Sequence, residues 1–97
     1  MLPIVFINCD LFPFVDWIID GLKIYETRNR NTLKSLIGQV VMIAETHKGK
    51  KPIVRCMAYI DSMEKVNVKQ FDSMRNDTRI VPGSVYDLTD TNKTKCL

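Results

Sequence analysis

The segment QVVMIAETHKGKKPIVRCMAYI, Gln39 to Ile60, decides how the fold is read. Its first arm, Gln39 to Thr46, is rich in Val and Ile and reads as a strand. His47 through Lys51 form a basic turn around Gly49, and Pro52 stands at the edge of the next strand, where its missing donor costs least. In that second arm Val54, Cys56, Ala58 and Ile60 share one face, opposite Arg55, Met57 and Tyr59. Two such arms joined by five residues predict an antiparallel hairpin. A hairpin alone is barely stable, so other elements must cover one of its faces.

Upstream, Pro3 to Asn8 reads as a short strand whose continuous apolar content assigns no face. Asp10 can cap a helix starting near Leu11, with Pro13 tolerated in the first turn. Leu11, Phe14, Val15 and Ile18 then recur at helical spacing beside Trp17, with Asp16 and Asp20 pointing away. Gly21 sits where a glycine terminates a helix. Ile24 to Arg28 reads as a strand and 29–31 as a polar loop. Thr32 caps a short helix that turns Leu33, Leu36 and Ile37 inward and ends at Gly38.

Downstream, Asn67 followed by Gln70 has the spacing of a capping box, opening a helix that buries Val68, Phe71 and Met74. Residues 76–81 read as irregular. Pro82-Gly83 leads into a strand at Val85–Leu88, and residues 93–97 into a last strand pairing back across 89–92. Many short strands around two or three short flanking helices predict an α+β fold, a small and mostly antiparallel barrel, partly closed. The 97 residues make one domain, 1–97, ending at Cys96-Leu97 in mid-strand. Either that strand closes the sheet directly, or a final element is lacking.

Composition narrows the function. An apolar share of 45% and a charged share of 26% suit a folded domain rather than a disordered chain. No run approaches the roughly 18 apolar residues that cross a bilayer, and no secretory leader is visible, so a cytoplasmic location without membrane contact is expected. Cys9, Cys56 and Cys96 are odd in number and widely spaced. With His47 as the one histidine, they fit neither a disulfide framework nor a zinc site, and no metal or cofactor is implied. The net charge of +3 is unevenly spread. Residues 1–22 carry three acids and no base, residues 23–55 carry eight bases against Glu26 and Glu45, and the remainder balances at six of each sign. A basic middle third suits a phosphate-bearing partner.

The chemistry concentrates in Gly21-Leu22-Lys23-Ile24-Tyr25-Glu26-Thr27-Arg28. Lys23, just past a helix end, can donate to a base carbonyl or a phosphate. Glu26 can accept from an exocyclic amine, as carboxylates do with cytosine N4. Arg28 offers a planar fork for phosphate or for Glu26 itself. Tyr25 supplies a surface on which a base can stack. On an ideal strand Lys23 and Glu26 point to opposite faces, so sharing one cleft requires a turn or a bulge. Lys48, Lys50 and Lys51 in the hairpin turn are placed to steer a phosphate backbone. Tyr86 and Asp87 are placed to close the cleft from its far side.

Gly21, Lys23, Glu26 and Arg28 match the G-x-K-x-x-E-x-R signature of the ASCH domain, a family similar to PUA-like barrels, and the resemblance covers residues 3–89. It implies a barrel that binds RNA or a nucleotide in a cleft near the motif. Some small ASCH-like proteins resemble amidohydrolases acting on acylated cytidine, which would cast Lys23 as the key amine. Glu26 stands here where those proteins place a threonine. Three functions are therefore carried forward. The first is an RNA- or nucleotide-binding domain using Lys23, Tyr25, Glu26, Arg28, Lys48, Lys50 and Lys51. The second is an amidohydrolase of a modified nucleoside such as N4-acetylcytidine, with Lys23 and Glu26 catalytic. The third is a structural or protein-interaction domain whose protein partner is unspecified.

Overall fold

The computed structural model describes residues 2–30, 32–90, 93, 95 and 96. The hairpin forms as read: β2 (Val40–Thr46) and β3 (Ile53–Tyr59) pair antiparallel. On the other side of β2 lies β1 (Ile4–Asn8), running parallel to it, with Ile4 level with Met42 and Asn8 with Thr46. Parallel neighbours cannot be joined by a tight turn, and residues 9–39 supply the long crossover they need. The resulting sheet is mixed, three-stranded and ordered β1-β2-β3.

The barrel does not form. β1 and β3 are the two edges of an open sheet, and a separate short ladder joins β4 (Lys65–Val66) to β5 (Lys95–Cys96). The physical reason lies in residues 24–28, read as a strand that could have extended the sheet. The N–H groups of Ile24 and Tyr25 both donate to the Asp77 carbonyl, at 2.7 and 3.1 Å, instead of entering a ladder. Only Arg28 in that stretch makes an isolated bridge. The protein is therefore a small α+β domain with a mixed open sheet.

Three short α-helices accompany the strands among the described residues: α1 (Phe14–Ile19), α2 (Val68–Ser73) and α3 (Arg75–Thr78). α1 starts three residues later than expected, and Asp10 does not cap it. The Asp10 carboxylate instead accepts from Asn8 Nδ2 and from the Lys48 N–H, at 3.1 and 3.0 Å, tying the end of β1 to the hairpin turn. The other end of α1 behaves as read. Gly21 adopts φ +76°, its N–H donates to the Ile18 carbonyl, and the Leu22 N–H reaches back to Trp17. That pair of bonds is the Schellman arrangement, which satisfies carbonyls that the helix end leaves open.

Thr32 caps nothing: the helical turn there is a 3-10 segment, Lys34–Leu36, preceded by Leu33. α3, Arg75–Thr78, takes in residues 76–78 of the stretch 76–81 read as irregular. Val85–Leu88 is not a strand, and β5 pairs with β4 rather than with 89–92, of which 91 and 92 lie outside the described residues, as do 94 and 97. The hairpin register also slips. Ile43 faces Cys56 but Ala44 faces Val54, so Arg55 is an extra residue and Val54 leaves the face shared by Cys56 and Ala58.

Val5 and Ile7 from β1, Val41 and Ile43 from β2, Phe14 and Val15 from α1 and Phe71 from α2 make the core, with Val66, Ile80 and Leu88 joining it. No helix among the described residues is long and apolar enough to cross a membrane. The capping box is present in both halves, Gln70 N–H to Asn67 Oδ1 at 2.9 Å and Asn67 N–H to Gln70 Oε1 at 3.0 Å. Replacing Asn67 with Ala is expected to cost about 1 kcal/mol, read in a thermal melt as a fall of about 4–8 °C. An unchanged melting temperature would remove the box from the account of α2.

Candidate functional site

Lys23 is the most deeply placed charge in the motif, with 2% of its surface exposed. Its Nζ donates to the Thr78 carbonyl at 2.6 Å, at the C-terminal end of α3, and lies 4.8 Å from the centre of the Phe14 ring. Removal from water disfavours the ammonium and brings its pKa down to about 8. The Glu26 carboxylate pulls the other way, and the Lys95 ammonium adds to the depression. Arg79 reinforces the same joint by donating from Nε to the Leu22 carbonyl at 2.8 Å. Residues 22–25 are thus stapled to the end of α3.

Glu26 and Arg28 are half-buried. Glu26 Oε1 accepts from the Thr27 N–H at 2.8 Å, and Oε2 has a long 3.7 Å approach from Arg28 Nη2. Arg28 spends its stronger bond, 2.9 Å, on the Phe6 carbonyl of β1. Because residues 23–26 are not a strand, the parity conflict between Lys23 and Glu26 does not arise. The Glu26 charge acts on both Lys23 and Lys95.

Beside this joint opens a cleft of about 280 Å³ between the sheet, residues 24–30 with Leu33, and residues 60–63. Val5, Ile7, Ile43 and Ala58 form its sheet wall, and Ile18, Ile24 and Leu33 are among the apolar residues that complete it. Tyr25 lines it, and Glu26, Arg28, Arg30, Asp61 and Ser62 supply its polar groups. Lys23 does not line the cleft. Of the motif residues, Tyr25, Glu26 and Arg28 do.

Lys48, Lys50 and Lys51 are exposed in the hairpin turn, and none of them lines the cleft. The segregation of charge along the sequence also has a structural outlet. Arg55 bridges Glu45 and Asp16 at 2.7 and 2.9 Å, and His47 lies 2.8 Å from Glu45 and 3.4 Å from Asp10. Two acids of the N-terminal third therefore meet basic groups of the hairpin. Of the bases counted in the middle third, Arg55 is thus taken up by internal pairing, while Lys48, Lys50 and Lys51 stay exposed.

Tyr86 and Asp87 do not close the cleft. Tyr86 packs its ring edge-on against Phe14, with centroids 5.1 Å apart. Asp87 is anchored by the Gly83 N–H, the Leu88 N–H and Arg75, each at 2.8 Å. Burial alone would raise its carboxyl; those donors outweigh it and hold it below the usual range.

Lys95 is the residue that sequence reasoning missed. It is 6% exposed, and burial lowers its pKa against the pull of Asp87 and Glu26. It also lines a second, more polar hollow with Asn29, Thr89 and Lys93. Nothing local in Lys93-Thr94-Lys95 distinguishes a buried lysine from an exposed one. Only the β4–β5 pairing, which sets Lys95 level with Val66, takes it inside.

The fold and cleft thus define a small open-sheet α+β domain with an apolar hollow beside a buried lysine. No protein-family model, curated protein or solved structure matches the chain. The ASCH resemblance rests on the motif residues and their sequence context, and the barrel and RNA-binding role that came with it are not carried forward.

Lys23 makes a signed prediction. Its pKa is about 8 when folded against 10.5 for a free lysine, so the unfolded chain binds more protons between those values. Stability from this group is therefore lowest below pH 8 and rises as pH climbs toward 10.5, by roughly 3 kcal/mol. Urea unfolding of wild type and Lys23→Met at pH 7 and pH 10.5 isolates the effect from other titrations. The difference in stability, wild type minus variant, is expected to grow by that amount. Parallel pH profiles would show that Lys23 is not held as described.

Proposed function

We propose that the protein binds a small nucleobase-bearing ligand, a nucleoside or nucleotide, in the cleft between the sheet and residues 24–30. The observation that carries this reading is Glu26 at an apolar hollow, half-buried, with Oε2 engaged among the described residues only at 3.7 Å. Apolar walls exclude water around a flat ring. A carboxylate oxygen with spare acceptor capacity selects a ring bearing an exocyclic amine. Arg30 lines the same cleft, is exposed, and has no hydrogen bond or ion pair among the described residues, so it is free to take a phosphate. Arg28 is already committed to Phe6 and shapes the wall. Lys23 sets the position of the segment from behind it. The free thiols of Cys9 and Cys56 suit a reducing, cytoplasmic setting.

A hydrolytic reading draws on one observation, the Lys23 amine brought down to about 8, a value suited to proton transfer or nucleophilic attack. It requires that amine to leave the Thr78 carbonyl and enter the cleft. Release of acetate from N4-acetylcytidine, lost in Lys23→Ala, is its test.

Binding is checked by titrating nucleosides and their 5′-monophosphates and measuring affinity by calorimetry. Glu26→Gln is expected to weaken cytosine- and adenine-bearing ligands about tenfold while leaving uracil-bearing ones unchanged, the size of one charged hydrogen bond. Arg30→Ala is expected to weaken the monophosphates and spare the nucleosides. If millimolar ligand moves no amide resonance around the cleft, the reading is wrong.

A further inference from the structure

Among the described residues Lys23 and Lys95 are the buried lysines, and the fold treats them differently. Lys23 has the Thr78 carbonyl at 2.6 Å and the Phe14 ring beside it. Lys95, with 6% of its surface exposed, has no hydrogen bond or ion pair among the described residues. An ammonium carries three donors, and burying one without an acceptor is costly. The Asp87 carboxylate attracts it, but both oxygens are already engaged: Oδ1 by Arg75 and the Leu88 N–H, Oδ2 by the Gly83 N–H. Glu26 likewise acts on it only through its charge. Burial outweighs both and holds the Lys95 amine below its ordinary pKa.

Lys95 lines the polar hollow, a space of about 480 Å³. Asn29, Thr89 and Lys93 line it too; all three are exposed, and each side chain can donate a hydrogen bond. We propose that this hollow binds a small, singly charged oxyanion, with Lys95 Nζ as its principal donor. A buried polar group without a partner calls for one, and an oxyanion supplies both the missing acceptor and a compensating charge. The surrounding charges set the valence. Arg75 offsets Asp87, and Asp90 on the wall offsets one of the two lysines, so one positive charge is left for the ligand. A carboxylate or a monoanionic phosphate group meets that requirement. The site is separate from the nucleobase cleft and does not rest on it. Asn29 lines this hollow while its neighbours Arg28 and Arg30 line the cleft, which neither Lys93 nor Lys95 borders.

The test is a titration of the whole chain with acetate and, separately, with inorganic phosphate, each matched in ionic strength by chloride. It is followed at the ¹³Cε and ¹⁵Nζ resonances of Lys95, assigned by comparison with Lys95→Met. Acetate, phosphate or both are expected to shift those resonances saturably, and chloride is not. Whichever of the two saturates at the lower concentration identifies the group as carboxylate or phosphate. By calorimetry Lys95→Met is expected to weaken the preferred anion at least about tenfold, the loss of one charged hydrogen bond. Lys93→Glu, at an exposed position, is expected to weaken it by roughly two- to fivefold. Arg30→Ala, in the other hollow, is expected to leave it unchanged. No saturable shift at Lys95 with either anion at tens of millimolar overturns the proposal, and that wild-type readout stands even if Lys95→Met does not fold. A folded Lys95→Met that binds as tightly as wild type overturns it as well.

Discussion

The ammonium of Lys23 resting on the Thr78 carbonyl is the contact on which the rest of the architecture depends. A buried charge is costly unless it is paired or strongly bonded. Here one carbonyl at a helix end, one aromatic face and the field of one carboxylate offset that cost only in part, and burial still lowers its pKa to about 8. That joint brings residues 22–25 against α3, where the Ile24 and Tyr25 N–H groups are used by Asp77. A segment bonded in this way cannot add to the sheet. The sheet therefore stays open among the described residues, and the hollow beside residues 24–30 persists.

The motif divides its work. Gly21 turns the chain out of α1, Lys23 fastens it to α3, and Arg28 fastens it to β1 through Phe6. Two of the four signature residues, Lys23 and Arg28, thus cross-link elements far apart in sequence. Glu26, although touched by Thr27 and Arg28, is the one with an oxygen to spare beside an apolar surface. Scaffold and ligand chemistry are consequently neighbours on one short loop, with Arg30 lining the same cleft.

What could be read in the sequence was local. The hairpin, the glycine that ends α1 and the Asn67–Gln70 box depend on residues within a few positions of each other, and each was found where expected. What was misread depends on distant partners. The apolar run of β1 carries no mark of its parallel neighbour, and Lys95 carries no mark of its burial. Residues 24–28 have strand composition, yet the Ile24 and Tyr25 N–H groups are claimed by Asp77, in a helix far along the chain. The basic middle third was legible as charge but not as pairing. Asp16 pairs with Arg55, and Asp10 meets His47, only once the fold brings them together. For the site, Tyr25, Glu26 and Arg28 were legible from the motif, whereas the exclusion of Lys23 from the cleft followed from packing around Phe14.

The most direct test is a pH titration of the lysine side-chain resonances, with ¹³Cε and ¹⁵Nζ of Lys23 assigned by comparison with Lys23→Met. A buried ammonium on the Thr78 carbonyl should titrate near 8 and show protons shielded from exchange with solvent. A midpoint at 10.5 with rapid exchange would place Lys23 in water. The joint between the motif and α3 would then not exist, and the cleft it shapes would have no basis.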